Sequence, residues 1–448
     1  MTFNPHTAGD RVDMLESIGV STVEDLFAAV PESVRFPELR LPRALTEMEA
    51  AARMDELAAR NMPANGGTTF LGAGSYNHYV PATVGQILSR GEFYTAYTPY
   101  QPEVAQGTLQ VIYEFQSMVA ALLGMEVANA SIYDGATALA EGALVAVSSS
   151  KKKHRLVISG TVHPAYREVV RTYLSGLPVE LVELPVPTSG FMARPEDLAP
   201  HLGEGLAGVV VQYPNFFGGI EDLAAMADAV HAAGGLLIVS TYPVPLGLLK
   251  SPGELGADVV AAEGQALGVA QSYGGPYVGL LATRQAFVRQ LPGRLAGITT
   301  DSEGKRGFVL TLQTREQHIR REKATSNICT NQGLMATAAT VYMSSLGPGG
   351  FREVATRCYQ NAHYLADQLS ALDGYEVLVD GEFFHEFVVR TPTPAAEINR
   401  SLMSAGIVGG YDLAHLDDSL DHALLLCATE LNDRASIDRL ISALRSAP

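Results

Sequence analysis

Basic residues are scarce in this chain. Its 448 residues include 31 Lys and Arg against 48 Asp and Glu, so the formal net charge is −17. Proteins that bind nucleic acid neutralise phosphates with clustered Lys and Arg. The one basic cluster, residues 151–155 (KKKHR), precedes an apolar run and is predicted to be a solvated loop. The charge balance therefore argues against nucleic acid as a partner.

Cysteine and long apolar runs are also rare. The three cysteines, Cys329, Cys358 and Cys427, form no CxxC motif and no Cys/His pair at metal-ligand spacing. So few cysteines argue against a disulfide scaffold and are typical of a reducing compartment. No apolar run is long enough to span a bilayer, and the N-terminus lacks the basic and apolar regions of a secretory signal. We therefore expect a cytoplasmic protein without a membrane anchor.

Short apolar runs alternate with helical patterns through the middle of the chain. Strands are predicted at residues 156–159, 179–184, 209–212, 236–240, 259–262 and 277–282. Helical patterns at 163–174 and 220–233 lie between them. Such alternation indicates an α/β fold with a mainly parallel sheet covered by helices. No GxGxxG follows the first strand, which argues against a dinucleotide-binding fold.

The chain is predicted to divide into three parts. Residues 1–64 form a helical arm, in which Asp10 and the segment Ser21–Glu24 cap helices. Residues 65–330 form the large α/β domain, and residues 331–448 form a long helix followed by a small α+β domain. A break is predicted at Gly347–Gly350 within that helical region. This order of elements resembles the fold-type-I pyridoxal-phosphate-dependent transferases.

Gln265 stands where such an enzyme needs a lysine. An apolar run ends at Glu263-Gly264-Gln265 and a glycine-rich turn follows it. In fold-type-I enzymes a lysine after such a strand forms a Schiff base with pyridoxal phosphate, which an amide cannot do. The acid expected beside the pyridine nitrogen is also missing, because Tyr242 follows the strand at 236–240. His163 is either a remnant that stacked on the cofactor ring or a helix-capping or core histidine.

A small-residue loop at 131–138 precedes another helix and is the candidate place for a phosphate. Free backbone N–H groups at a helix N-terminus suit an anion. Asp134 lies within this loop, and its carboxylate would repel a phosphate. The sequence therefore predicts an ordinary helix N-cap at Asp134.

Two polar segments differ from the rest of the chain. The first, residues 94–102 (YTAYTPYQP), is rich in tyrosines, which either support the loop or line a pocket. The second, residues 324–332 (ATSNICTNQ), is too polar for an ordinary core and is predicted to face a site or an interface. Its Cys329 is predicted to be an inert thiol, because its only basic neighbour is Lys323.

These motifs closely resemble the P-protein family of the glycine cleavage system. The resemblance rests on YTAYTPYQPEVAQG at 94–107, ATSNICTNQ at 324–332 and the EGQ…GGPYVG block at 263–279. It runs over essentially the whole chain and is to the N-terminal half of that protein, which many bacteria make separately. The sequence departs from the family at Ser240-Thr241-Tyr242, where Asp-Pro is expected near Pro243, and in the 268–271 segment, where a proline is expected.

The resemblance implies that a second subunit carries the lysine and the pyridoxal phosphate, and the expected assembly is α2β2. Glycine would lose CO2 on that cofactor, and its aminomethyl group would pass to the lipoyl group of H-protein, which is reduced as it accepts it. Because the site of this fold lies at the subunit interface, this chain would supply pocket walls. The candidate wall residues are Tyr97, Thr98, Tyr100, Gln101, Ser326, Asn327 and Cys329.

Two alternatives remain open. The chain could be an autonomous pyridoxal-phosphate enzyme that uses Lys250 or Lys323, although neither follows a buried strand. It could also be a purely structural or regulatory partner that contributes nothing to a site. The polar segment at 324–332 and the tyrosine-rich loop argue against the structural alternative.

Overall fold

The computed structural model describes residues 5–64, 68–149, 152–187, 189–324 and 326–446. The chain divides into two compact units, Met1–Pro63 and Ala64–Pro448. The first unit holds the helices α1 (Ala8–Ile18) and α2 (Glu47–Ala58) with two short 3-10 turns between them. None of the described helices is both long and apolar enough to cross a membrane.

The caps of the first unit differ from the sequence predictions by a few residues. Helix α1 begins after Thr7, whose hydroxyl accepts from the Asp10 N–H (3.2 Å) while the Asp10 carboxylate accepts from the Thr7 N–H (2.6 Å). Asp10 is therefore the third helical residue of a capping box and not the N-cap. The second predicted box is shifted by one residue, because Thr22 and Asp25 exchange these hydrogen bonds instead of Ser21 and Glu24.

The second unit alternates strands and helices. Its helices α3 to α13 span Ala82–Leu88, Gly91–Tyr94, Gln106–Leu123, Gly135–Ser148, Pro164–Leu174, Pro195–Leu198, Leu223–Ala232, Gln317–Arg320, Gly333–Ser370, Ala395–Ser404 and Arg434–Arg445. The strands β1 to β13 span Val127–Ala128, Arg155–Ile158, Glu180–Glu183, Leu206–Tyr213, Leu236–Thr241, Val259–Glu263, Gly279–Thr283, Leu295–Thr300, Arg306–Thr311, Glu376–Val377, Glu386–Arg390, Tyr411–Asp412 and Ala423–Cys427.

A seven-stranded sheet forms the centre of the second unit. The strand order is β1-β7-β6-β5-β4-β2-β3, and strands β2 to β6 run parallel. Strand β7 returns antiparallel to β6 after the glycine-rich turn, with Glu263 opposite Gly279. Strands β5, β6 and β7 are buried almost throughout, so their apolar runs were a reliable signal of buried strands. The predicted mainly parallel α/β sheet is confirmed.

The basic cluster at 151–155 leads into β2. Lys152 and His154 are exposed, as predicted, but Lys153 is half-buried and donates to the Gly234 carbonyl. Lys151 lies outside the described residues. Lys153 therefore links the segment before β2 to the turn before β5.

A smaller antiparallel sheet lies in the C-terminal part of the unit. Its order is β10-β11-β13-β12, and its core packs against α12, α13 and the second half of α11 through residues such as Phe387, Leu426 and Leu440. Helix α11 contains a non-helical residue at Gly347 (φ 60°, ψ 179°), which is where the sequence predicts a break. The positive φ explains why glycine stands at that position. The domain boundary at residue 330 remains a prediction.

The β8–β9 hairpin was not predicted from the sequence. Its buried side chains Ala296, Phe308 and Leu310 pack on α5 against Leu109 and Ile112. The last three residues of β8, at positions 298–300, are all exposed, and only alternate residues of β9 are buried. A short hairpin that is buried over only part of its surface carries a weak apolar signal.

Candidate active-site region

Gln265 is buried beyond the end of β6, and both polar atoms of its amide are bonded. Its Oε1 accepts from the Tyr76 N–H (3.0 Å), and its Nε2 donates to the carbonyls of Tyr76 (3.0 Å) and Val269 (2.8 Å). The side chain therefore braces two loop segments against the end of the sheet. That an amide here takes the place of the lysine of a fold-type-I enzyme stays a prediction from the sequence.

Aromatic rings fill the space beside Gln265. The Tyr242 ring, just beyond β5, lies 4.4 Å from the Tyr76 ring and 5.1 Å from the His385 ring, between centroids. The Tyr76 and His385 rings are 4.7 Å apart, and all three residues are buried. His78 packs on Tyr242 and hydrogen-bonds its hydroxyl. These rings therefore form a closely packed aromatic cluster at this end of the sheet.

The N-terminus of α6 already holds two carboxyl groups. Asp134 accepts from the Thr137 N–H (2.8 Å), which confirms the predicted N-cap. Glu263 accepts from the N–H groups of Gly135 (2.8 Å) and Gln265 (2.9 Å). Burial raises the pKa of Glu263 to about 8, and the nearby Asp134 adds to the rise. The carboxyl group of Glu263 therefore accepts the backbone N–H hydrogen bonds that a phosphate at this helix N-terminus would otherwise accept.

His163 is a helix cap. Its Nδ1 accepts from the Ala165 N–H at the start of α7 (3.2 Å), so its Nε2 carries the hydrogen that is donated to the Ala73 carbonyl (3.0 Å). Burial lowers the pKa of His163 to about 4, which keeps the ring neutral. The structure thus confirms the predicted role of His163 as a helix cap, while a cofactor-stacking origin of the ring stays a prediction.

Pyridoxal phosphate does not fit this end of the sheet. Gln265 offers an amide whose hydrogen bonds are already made, and the helix N-terminus is occupied by the carboxyl of Glu263. Tyr242, which follows β5 where the sequence predicts that an acid would be needed beside the pyridine nitrogen, is packed among buried aromatic rings. No catalytic step is therefore assigned to a cofactor bound by this chain.

The two polar segments predicted as pocket walls meet at the start of α11. They enclose a cleft of about 190 Å³ that is lined by Tyr97 and Thr98 from the tyrosine-rich loop and by Thr330 and Asn331 from the second segment. Tyr97 is 85% exposed, so most of its side-chain surface is in contact with solvent. The structure thus brings together one part of each predicted segment.

Arg294 joins the two segments and was missed in the sequence. It is only 3% exposed, and it donates to the Tyr100 hydroxyl (3.1 Å) with its guanidinium over the Tyr100 ring. It also reaches the Asn331 side-chain oxygen (3.5 Å) and lies 3.9 Å from the Glu316 carboxylate. An isolated arginine just before an apolar run gives no sign of such contacts, because its partners are far away in the chain.

The remaining predicted wall residues are spread more widely. The Ser326 hydroxyl donates to Glu141 (2.8 Å), and Ser326 and Asn327 line a second cavity of about 410 Å³. Gln101 and Cys329 are exposed and line neither cavity. Thr325 lies outside the described residues. The seven predicted residues therefore do not form one pocket within this chain.

Comparison with known proteins identifies the family. The family model described as "Glycine cleavage system P-protein" matches residues 1–444. The chain belongs to the glycine cleavage system P-protein family. A probable glycine dehydrogenase (decarboxylating) subunit 1 from Thermomicrobium roseum is 60% identical over 447 residues, with all of both chains covered. A protein of the same description from Desulfitobacterium hafniense is 48% identical, with 99% of each chain covered.

Solved structures agree with this assignment. The crystal structure of a glycine decarboxylase (P-protein) of the glycine cleavage system, in inhibitor-bound form, has a TM-score of 0.91 and 44% identity over all of both chains. Glutamate decarboxylase from Lactobacillus brevis has a TM-score of 0.68 and 14% identity, covering 94% of this chain and 96% of its own, which shows the fold alone. The predicted membership of the P-protein family, as subunit 1, is confirmed. The predicted fold, that of the fold-type-I pyridoxal-phosphate-dependent transferases, is also confirmed.

Proposed function

We propose that this P-protein family chain is subunit 1 of glycine dehydrogenase (decarboxylating) and acts only together with a second subunit that carries pyridoxal phosphate. The observation that carries this proposal is the buried, fully hydrogen-bonded amide of Gln265, at the position where the sequence predicts that a lysine would be needed. The full-length identity of 60% to a probable subunit 1 supports it. An α2β2 assembly is part of the proposal.

The proposed reaction needs chemistry that this chain does not provide. The cofactor of the second subunit would act as an electron sink for the loss of CO2 from glycine. The aminomethyl group would then pass to the lipoyl group of H-protein. A cytoplasmic location is also proposed, since Cys329, Cys358 and Cys427 are all free thiols and such cysteines are typical of a reducing compartment.

The contribution of this chain would be to shape and position the pocket of the partner subunit. Three exposed apolar or aromatic side chains lie close together in and beside the tyrosine-rich loop: Tyr94 (69% exposed), Tyr97 (85%) and Val104 (82%). Such a concentration of exposed side chains supports an interface. The hydroxyl group of Thr98 in this loop suits the carboxylate of glycine or a cofactor phosphate. Arg294 would hold the loop in place from behind.

The distribution of a covalent label tests which chain holds the cofactor. We expect borohydride reduction in the presence of pyridoxal phosphate to label no lysine of this chain, whether purified alone or co-expressed with its partner. In the complex the label should lie on the second subunit. Mass spectrometry of the reduced, digested chains measures this. Bovine serum albumin treated in parallel gives the level of nonspecific labelling.

The autonomous-enzyme alternative makes the opposite prediction for the same experiment. Stoichiometric label on Lys250 or Lys323 of the isolated chain would overturn the proposal. Both lysines are exposed. A Schiff-base lysine is usually desolvated so that its amine is neutral near pH 7, and an exposed position does not give that environment.

Substitutions in the wall segments separate a contributing subunit from a purely structural one. In the assembled complex, Tyr97→Phe and Asn327→Ala should each slow glycine–bicarbonate exchange by roughly fivefold to tenfold, the value of a hydrogen bond in a pocket. Tyr79→Phe, at an exposed tyrosine outside the two segments, is the matched control. Exchange at the wild-type rate in both wall variants, with the complex intact by gel filtration, would favour the structural alternative.

A further inference from the structure

An electronegative cavity lies between α6, α7 and residues 326–328. It has a volume of about 410 Å³, and its lining includes the polar residues Tyr133, Glu141, Tyr173, Ser326 and Asn327 together with apolar residues. We propose that this cavity binds a small molecule carrying a protonated primary amine, with Glu141 as its counter-ion. The proposal needs only the described residues of this chain and does not rest on the proposed function.

Glu141 has one carboxylate oxygen without a partner. The residue is only 4% exposed, and its Oε1 accepts from the Ser326 hydroxyl (2.8 Å). Its Oε2 is buried and has no hydrogen-bond partner among the described residues. Native proteins rarely leave a buried polar atom unsatisfied, because doing so costs about 1–3 kcal/mol, and more for a charged group. Because Glu141 also lines the cavity, a donor on a ligand bound there would satisfy its carboxylate.

The charge around the cavity selects a cation. Its described lining residues include no Lys, Arg or His. Burial raises the pKa of the Tyr173 phenol, and the charges of Glu141 and Asp134 raise it further. An anion would be repelled here. A cationic N–H donor would form a charge-assisted hydrogen bond with Glu141.

The donor set favours an ammonium group over other cations. A calcium ion takes six to eight oxygen ligands, whereas Glu141 is the one carboxylate among the described lining residues. A guanidinium group binds best to both oxygens of a carboxylate, but Ser326 already occupies one of them. A compact ammonium group needs only the remaining oxygen, and the hydroxyls of Tyr133 and Tyr173 offer further acceptors.

Titration with methylammonium chloride tests the proposal. We expect saturable binding to the full-length chain at pH 8 by isothermal titration calorimetry, with sodium chloride holding the ionic strength constant. Burial raises the pKa of Glu141 to about 7, so the carboxyl group is mainly ionised at this pH. Glu141→Gln keeps the shape but removes the charge, and it should weaken binding by about tenfold or more. Glu141→Asp keeps the charge and should retain measurable binding. Sodium acetate, which has the opposite charge, should show none.

Glu168→Gln provides the matched control. Glu168 is exposed on α7, so this substitution removes one negative charge nearby without touching the cavity, and binding should stay within about twofold of wild type. Equal affinity in wild type and Glu141→Gln, or no saturable binding by the wild-type chain, would overturn the proposal. So would the disappearance of binding in the complex with the second subunit, because a partner side chain would then fill the cavity.

Discussion

Gln265→Leu should lower the free energy of unfolding by about 3–5 kcal/mol. Leucine has a similar volume, but it removes three hydrogen bonds and leaves a buried N–H and two carbonyls near Tyr76 and Val269 without partners. Each such loss costs about 1–3 kcal/mol when the group stays buried, and relaxation of the loops recovers part of the sum. Urea titration followed by circular dichroism measures the change.

An exposed glutamine shows what the same substitution costs without these bonds. Gln86 lies on the solvent side of α3, so Gln86→Leu should change the free energy of unfolding by no more than about 0.5 kcal/mol. If Gln265→Leu were as mild as Gln86→Leu, the amide would not brace the loops, and the interpretation of this position as structural would be wrong.

The sheet was predictable because its strands carry a local signal. Strands β4 to β7 are buried apolar runs, and each overlaps a predicted strand. The β8–β9 hairpin gave no such signal, since much of its surface is solvated. The predicted caps of the first unit differ from the observed ones by a few residues. Several hydroxyl and carboxyl residues there have the spacing of a helix cap, and only the backbone geometry selects among them.

The candidate site was predictable only where an expected residue type is missing. Gln265 is recognisable in the sequence because fold-type-I enzymes need a lysine after such a strand. The role of Glu263 depends on Gly135, which is 128 residues away, and that of Arg294 on Tyr100, which is 194 residues away. No local pattern encodes such pairs. The sequence does not determine the role of His163. In the structure its Nδ1 caps α7 and its Nε2 donates to the Ala73 carbonyl.

Glu263 makes the stability of the folded chain depend on pH. It lies in the strand-end position next to Gln265, and its carboxyl group takes the N–H groups of Gly135 and Gln265. A phosphate carries its negative charge permanently at neutral pH, whereas a buried carboxyl group can bind a proton instead. The raised pKa of about 8 means that the folded state holds this proton near neutrality. The chain thereby has a buried titratable group at the N-terminus of α6.

Glu263→Gln should flatten the decline of stability with rising pH. The folded pKa is about 8 and the unfolded value is near 4.5, so between these values the folded state binds a proton that the unfolded state has lost. The stabilising contribution is complete below pH 4.5 and is lost as the pH rises through 8, at about 1.4 kcal/mol per pH unit. The variant lacks this group, so its unfolding free energy should fall less steeply by that amount between pH 6.5 and 7.5.

The measurement is a set of urea titrations of both proteins at pH 6.5, 7.0 and 7.5. His163 and His385, whose pKa values burial lowers, have the opposite effect on stability, but they titrate in both proteins and cancel in the difference. Other buried carboxyl groups, such as Glu221 and Glu386, titrate in both proteins and cancel in the difference. Exposed Glu168→Gln should run parallel to wild type. If Glu263→Gln also ran parallel, Glu263 would be ionised in the folded protein, and the N-terminus of α6 would hold a full negative charge.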